Sequence, residues 1–243
     1  MIVFIVPFKA KKDCISWELT CKMLDSTLIS ICAQTQASFK VVCCITDQPI
    51  LTFSHNSVTF IRIDSQDKKE FNFDLRGRDK ADKILEGFEY AKKFNPSYLM
   101  VVDADDFISN KVVEYVTSKP LCDGFFISNG FVYEKDSQSF FMLKKSFHTH
   151  CGSALIVNPK IAANLISFSD FSGWYDHQGK GLALNSLPFP AAIYNTVHGE
   201  NLSASSSIKN RPIFDFADIA ESSFTNDLKE EFGCGSNNVL LLS

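Results

Sequence analysis

The chain has 243 residues, 45% of them hydrophobic, with a formal net charge of -4 and an isoelectric point near 5.7. That content supports a sizeable core, in one large α/β domain or two small ones, and the acidic balance argues against general nucleic-acid binding, which favours a basic surface. The eight cysteines show no CxxC spacing, which reads as reduced, buried thiols of a cytoplasmic protein rather than a disulfide framework.

The opening MIVFIVPFKAKK is apolar but too short for a membrane span, and it lacks the leader and cleavage site of a signal peptide. It reads as a first strand, Ile2–Val6, ended by Pro7; peripheral attachment to a membrane stays open. Trp17, Cys21, Leu24, Leu28 and Ile31 recur at steps of four and three, which predicts an amphipathic helix. FKVVCCITD is a second buried strand ending at Asp47, in which the adjacent Cys43 and Cys44 point to opposite faces. VTFIRID is a third, ending at Asp64. RDKADKILEGFEYAKKF is helical, with Ala81, Ile84, Leu85, Phe88 and Ala91 on one face. YLMVVD is a fourth strand, closing on carboxylates. This order predicts a mostly parallel, doubly wound sheet. Pro7, Asp47, Asp64 and Asp103 all close strands, so in a parallel sheet they converge on one crevice, where such folds bind ligands.

The second half is less regular. GFFISNGFVYE and SFFMLKKSFHTHCGSALIV read as extended segments around a turn, with His148 and His150 on one face of a strand. NPKIAANLIS reads as a short helix, SGWYDHQGKGLALN as a functional loop, and PAAIYNTVHG as a late strand. FDFADIAESSFTNDLKEEF reads as one or two acidic helices and a tail. No internal repeat is visible.

Asp103, Asp105 and Asp106 crowd the end of the fourth strand. Carboxylates this close raise one another's pKa unless a cation neutralises them. An EF-hand is excluded, because Phe107 and Ile108 stand where a ligand and the turn glycine belong. A phosphoryl-accepting aspartate of the haloacid-dehalogenase kind belongs on a first strand with a different continuation. An acidic turn before a helix and a divalent-metal site that takes a diphosphate both remain.

IVFIVPFKA…LDSTLISICAQTQASFKVVCCITD resembles the opening of glycosyltransferase family 2. DKILEGFEYAKKFNPSYLMVVDADDFIS resembles that family's helix and DxD element, and YNTVHGENLSAS its late metal-binding histidine element. The resemblance covers residues 1–110 and 190–205. It implies an α/β GT-A fold: a Rossmann-like nucleotide-binding half with a mostly parallel sheet, residues 1–106, fused to an acceptor half, 107–213, before an acidic helical tail, 214–243.

It further implies transfer of a sugar from a nucleoside-diphosphate donor, a uridine one, to a glycan, lipid-linked or other hydroxyl acceptor, with inversion. Mn²⁺ or Mg²⁺ would be held by Asp105 and His198 with Asp103, and Asp106 would cap the next segment. Pro7, Asp47, Asp103, Arg78 and Lys83 are the expected donor-binding residues. Arg76 and Lys80 complete a basic cluster, Lys80 being read as a solvated residue of the helix start. Gly152 and Ser153 match a segment that shapes the sugar pocket. The family's late acidic pair is absent; Asp176, beside Trp174 and His177, is the expected general base, with Asp170 next in line. Two alternatives remain: a nucleotidyltransferase, although VPFKAKKD lacks that class's glycines, and a nucleotide-sugar-binding protein without a base.

Overall fold

The computed structural model describes residues 1–64, 73–135, 138–168, 173–196, 198–200 and 218–234. The elements are β1 (Ile2–Pro7), α1 (Trp17–Cys32), β2 (Phe39–Ile45), β3 (Val58–Arg62), α2 (Phe73–Ala91), β4 (Tyr98–Val101), β5 (Phe107–Ile108) and α3 (Val112–Thr117) in the first half. There follow β6 (Gly124–Phe126), β7 (Gly130–Glu134), β8 (Ser139–Leu143), β9 (Leu155–Val157), α4 (Pro159–Ala162), β10 (Ile166–Phe168), β11 (Gly173–Tyr175), β12 (Asn185–Ser186), β13 (Ala192–Thr196), β14 (Ile219–Glu221) and α5 (Asn226–Glu231).

The architecture is mixed α/β with a mostly parallel central sheet. Seven strands lie in the order β12-β6-β9-β4-β1-β2-β3. β4, β1, β2 and β3 run parallel, and β9 enters antiparallel between β4 and β6. β1 and β2 are apolar because both faces are covered. α1 begins at Ser16, whose side chain caps the Leu19 amide. α2 packs Ala81, Ile84, Phe88 and Ala91 inward. At Gly87 it comes so close that a Cβ would strike Ile5 Cγ2 and lie 2.9 Å from Cys44 Sγ.

A five-stranded sheet, β14-β8-β7-β13-β5, stands beside the first. The chain passes from one sheet to the other through the Asp103–Asp106 turn, between β4 and β5. One apolar cluster runs through both, from Ile2 and Val41 to Val132, Phe141 and Ala192. A cut at residue 106 therefore does not separate the sheets: β6, β9 and β12 come from the later segment and extend the first sheet.

Two further expectations are corrected. Residues 219–221 form β14, paired antiparallel with β8, rather than helix, whereas Asn226–Glu231 is helical as expected, and Phe232 after it is fully buried. Phe147–Thr149 is a short 3-10 turn, not a strand. All eight cysteines are free thiols. No helix among the described residues is long and apolar enough to cross a membrane.

Candidate active site

The carboxyl ends of β4, β1, β2 and β3 lie side by side, so Asp103, Pro7, Asp47 and Asp64 follow one another along one sheet edge. A cleft opens between the first two. Its walls are Pro7, Phe8 and Lys9 after β1, Asp79, Lys80 and Lys83 from α2, Asp103 to Asp105, Glu200, and Asp13, Thr20 and Met23 from the α1 side.

Each of the three crowded aspartates is built differently. Asp106 is fully buried. Its Oδ2 receives Ser153 Oγ at 2.6 Å and Cys151 Sγ at 3.2 Å, and its Oδ1 receives the Asn195 amide at 3.1 Å. Burial first, then the neighbouring Asp105 and Asp103, push its pKa well above the carboxylate range, against the pull of those donors. Asp106 does not cap the following segment; it clamps the turn to the β8–β9 loop and to β13.

Asp103 donates its amide to Ser153 Oγ at 2.8 Å, and its Oδ1 pairs with Lys80 Nζ at 2.5 Å. Its Oδ2 lies against Gly152, where a Cβ would stand only 2.5 Å away. A side chain there would push the Asp103 carboxylate aside. Burial alone would pull the Lys80 pKa down, yet Asp103, with Asp105 and Asp106 behind it, takes it above the ordinary lysine value. Lys80 is therefore part of the site, not a solvated helix start. It lies on the stripe of α2 that holds Lys83, Ile84 and Gly87, at positions i, i+3, i+4 and i+7, which face the sheet.

Asp105 faces the cleft and meets His198, whose Nε2 lies 2.8 Å from its Oδ2. β13 brings His198 there: the Asp106–Asn195 bond fixes the strand three residues earlier. The Glu200 amide donates to His198 Nδ1 at 3.2 Å, so in this arrangement the ring proton sits on Nε2, toward Asp105. Glu200 ties the segment down, receiving Lys9 Nζ at 2.6 Å and the Ser16 amide at 2.6 Å. Glu200 and Lys9 escaped the sequence reading; their pairing spans 191 positions, and no local pattern carries it.

The other expected residues separate. Lys83 is buried in the cleft floor, donating to Phe8 O at 2.7 Å and to Asp79 at 2.7 Å. Arg78 turns away, paired with Asp82 at 3.0 Å and stacked 4.4 Å over the Phe168 ring. Asp47 accepts the Lys11 amide at 2.8 Å, on the rim, and Asp64 is almost fully exposed beside Arg62. Asp176 does not line the cleft; its Oδ1 accepts the Gln178 amide at 2.9 Å. Burial, then the charges of Asp103 and Asp176, raise the pKa of the adjacent Tyr175 phenol. Trp174 is half exposed. His177 Nδ1 lies 2.8 Å from His148 O. The side chain of Arg76, and Asp170, Asn201 and Ser203, lie outside the described residues.

The donor types fit a divalent cation: an imidazole nitrogen and a carboxylate oxygen suit Mn²⁺ or Mg²⁺. Among the described residues no group of three or more His, Cys, Asp or Glu could hold a metal. Two protein donors would leave the remaining positions to ligand oxygens and water, and a metal on Nε2 would require the ring proton to move to Nδ1, breaking the hydrogen bond from the Glu200 amide.

No protein-family model matches the sequence, and no curated protein sequence does. Among solved structures, the chain is similar to S. aureus TarS 1–349 in complex with UDP-GlcNAc, with a TM-score of 0.49 and 14% identity over 85% of this chain and 61% of that one. It is similar to S. aureus TarS 1–349 alone, at 0.47 and 12% over 81% and 60%. It is also similar to the glycosyltransferase GlyE of Streptococcus pneumoniae, at 0.34 and 9% over 67% and 35%. The chain thus spans about three fifths of the TarS 1–349 structures. At these scores and identities the likeness says nothing of substrate or chemistry.

Proposed function

We propose that the chain is a glycosyltransferase that moves a sugar from a nucleoside-diphosphate donor, a uridine one, to an acceptor hydroxyl with inversion. The observation that carries this reading is the meeting of Asp105 and His198, 93 positions apart, with Asp105 on the wall of a cleft that carries Lys9, Lys80 and Lys83 among carboxylates, at the carboxyl ends of parallel strands. That is where open α/β sheets bind nucleotides.

Lys9 and Lys80 stand at the cleft surface and would receive the diphosphate, with Lys83 fixing the floor. Asp47 would accept an N–H of the base. Asp105 and His198 would hold Mn²⁺ or Mg²⁺, which when bound supplies positive charge to the departing diphosphate. The acceptor O–H gives its proton to Asp176, its oxygen forms the new bond to the anomeric carbon, and the bond from that carbon to the diphosphate oxygen breaks. The nucleoside diphosphate leaves with the bonding pair.

Thermal-shift and calorimetric titration with UDP and UDP-sugars, with and without Mn²⁺, tests this directly. Asp105→Asn keeps the shape and removes the charge, and should abolish the Mn²⁺-dependent part of UDP affinity. Unchanged Mn²⁺-dependent affinity would sink the proposal.

A second reading is a nucleotide-sugar-binding protein without a base, favoured by the place of Asp176 outside the cleft lining. Asp176→Asn separates the two. If Asp176 is the base, turnover falls by about 10²–10⁴ while donor affinity holds.

A further inference from the structure

Asp103 and Asp105 belong to one motif but face different partners. Asp103 Oδ1 is bound to the Lys80 ammonium at 2.5 Å, and its Oδ2 is backed by Gly152. Its backbone is pinned through Ser153. Lys80 is set by the sheet-facing stripe of α2, so the pair joins two rigid elements rather than two loose side chains. Lys80 and Asp103 are 30% and 22% exposed, enough for a bound ligand to reach them and too little for the pair to be a solvated surface contact. A cation placed between Asp103 and Asp105 would have to displace the ammonium or accept its repulsion.

We propose that Lys80 is a built-in counter-ion that keeps Asp103 out of the metal's coordination, so that the metal binds well only together with a nucleoside diphosphate. This rests on the proposed donor site. Lys80 has two anionic partners to choose between. In the free protein it neutralises Asp103. With a diphosphate in the cleft it can share its donors with phosphate oxygens, while the same phosphates complete the coordination that Asp105 and His198 leave open. Binding of metal and nucleotide is thereby coupled, and the coupling is reciprocal. The free enzyme would hold little metal, because each carboxylate withheld from the coordination lowers affinity.

Mn²⁺ binding to the nucleotide-free protein, followed by electron paramagnetic resonance or calorimetry, reads this without any turnover. Lys80→Met removes the charge at similar length. It should tighten Mn²⁺ alone by about tenfold or more, because Asp103 becomes available as a ligand. Lys80→Arg should stay near the native value. Asp103→Asn should leave Mn²⁺ affinity within about twofold in the native background, but reverse the gain in the Lys80→Met background, a non-additivity that marks coupled groups. Unchanged Mn²⁺ affinity in Lys80→Met, with Mn²⁺-dependent UDP binding intact in the native chain, would overturn the role of Lys80 and leave the donor site standing. Loss of Mn²⁺ binding in Asp103→Asn alone would also overturn it, by making Asp103 a ligand from the start. Absence of UDP binding to the native protein would remove the donor site, and the role of Lys80 with it.

Discussion

At Asp106 a fully buried carboxylate receives three donors, from Ser153, Cys151 and the Asn195 amide. Asp106→Ala would leave all three without an acceptor, and an unsatisfied buried group costs about 1–3 kcal/mol. The three are coupled, so the expected loss is about 2–4 kcal/mol in urea unfolding rather than the simple sum. The pH dependence has a definite sign. The folded pKa of Asp106 is raised, so the folded chain holds the proton more tightly than the unfolded one. Its contribution to stability is fully present below the unfolded value of about 4 and is lost as pH rises through the raised folded value. Asp106→Asn cannot titrate and should flatten that fall in the metal-free protein. Identical slopes of stability against pH in the two proteins would show that another group carries the dependence. At this scale the sequence marked the cluster as a candidate site, with an acidic turn as the alternative, because apolar strand positions rarely end in three carboxylates. It did not divide the labour among them. That division depends on Ser153 and Gly152, about fifty residues away, and on the rotation of α2 that aims Lys80.

α2 links the core to the site. Its inward face packs Ile84, Phe88 and Ala91 on the sheet, and its first turns carry Lys80 and Lys83 to the strand ends. The close approach at Gly87 sets the height of the helix above β1. Gly87→Ala should raise helix propensity by up to about 1 kcal/mol. The added methyl meets Ile5 and Cys44, however, and overpacking of that kind costs about 1–3 kcal/mol. The clash should win, because Ile5 is itself fully buried and has nowhere to move. The net expectation is lower stability together with weaker nucleotide affinity, since a helix lifted off the sheet carries Lys80 away from Asp103. Stability and UDP affinity both at native values would show that the helix can shift at no cost. α1, α2 and the strands β1, β2 and β4 were legible because helical periodicity and continuous apolar runs are local signals. The antiparallel entry of β9 beside β4 was not, because pairing partners leave no mark on a three-residue apolar segment. β14 was misread as helix for a related reason: Ile219–Glu221 has no strand pattern of its own and is extended because β8 is there to pair with it.

For the whole molecule the question is whether the two sheets unfold together. Strands from the later part of the chain complete the first sheet, and one apolar cluster crosses between the sheets. Ser30 on α1 bonds both the amide and the carbonyl of Ile108 in β5, at 2.8 and 3.0 Å. The C-terminal segment adds its own ties: Phe232 packs edge-on to Phe131 with ring centres 6.1 Å apart, and Glu231 accepts from Ser109 Oγ at 2.6 Å. Opening either sheet would expose the core of the other, so a single cooperative transition is expected. The proposed donor cleft stands at the junction, so a bound ligand should stabilise the whole. At a hundredfold excess over its dissociation constant, UDP with Mn²⁺ adds about 2.7 kcal/mol. For a chain of this size that moves the midpoint up by about 5–10 °C. Phe232→Ala, far from the cleft, removes a fully buried ring and should cost about 3–5 kcal/mol, lowering that same transition. Scanning calorimetry decides: two peaks, with the ligand moving one and Phe232→Ala the other, would mean that the sheets are separate cooperative units and that the shared core couples them only weakly.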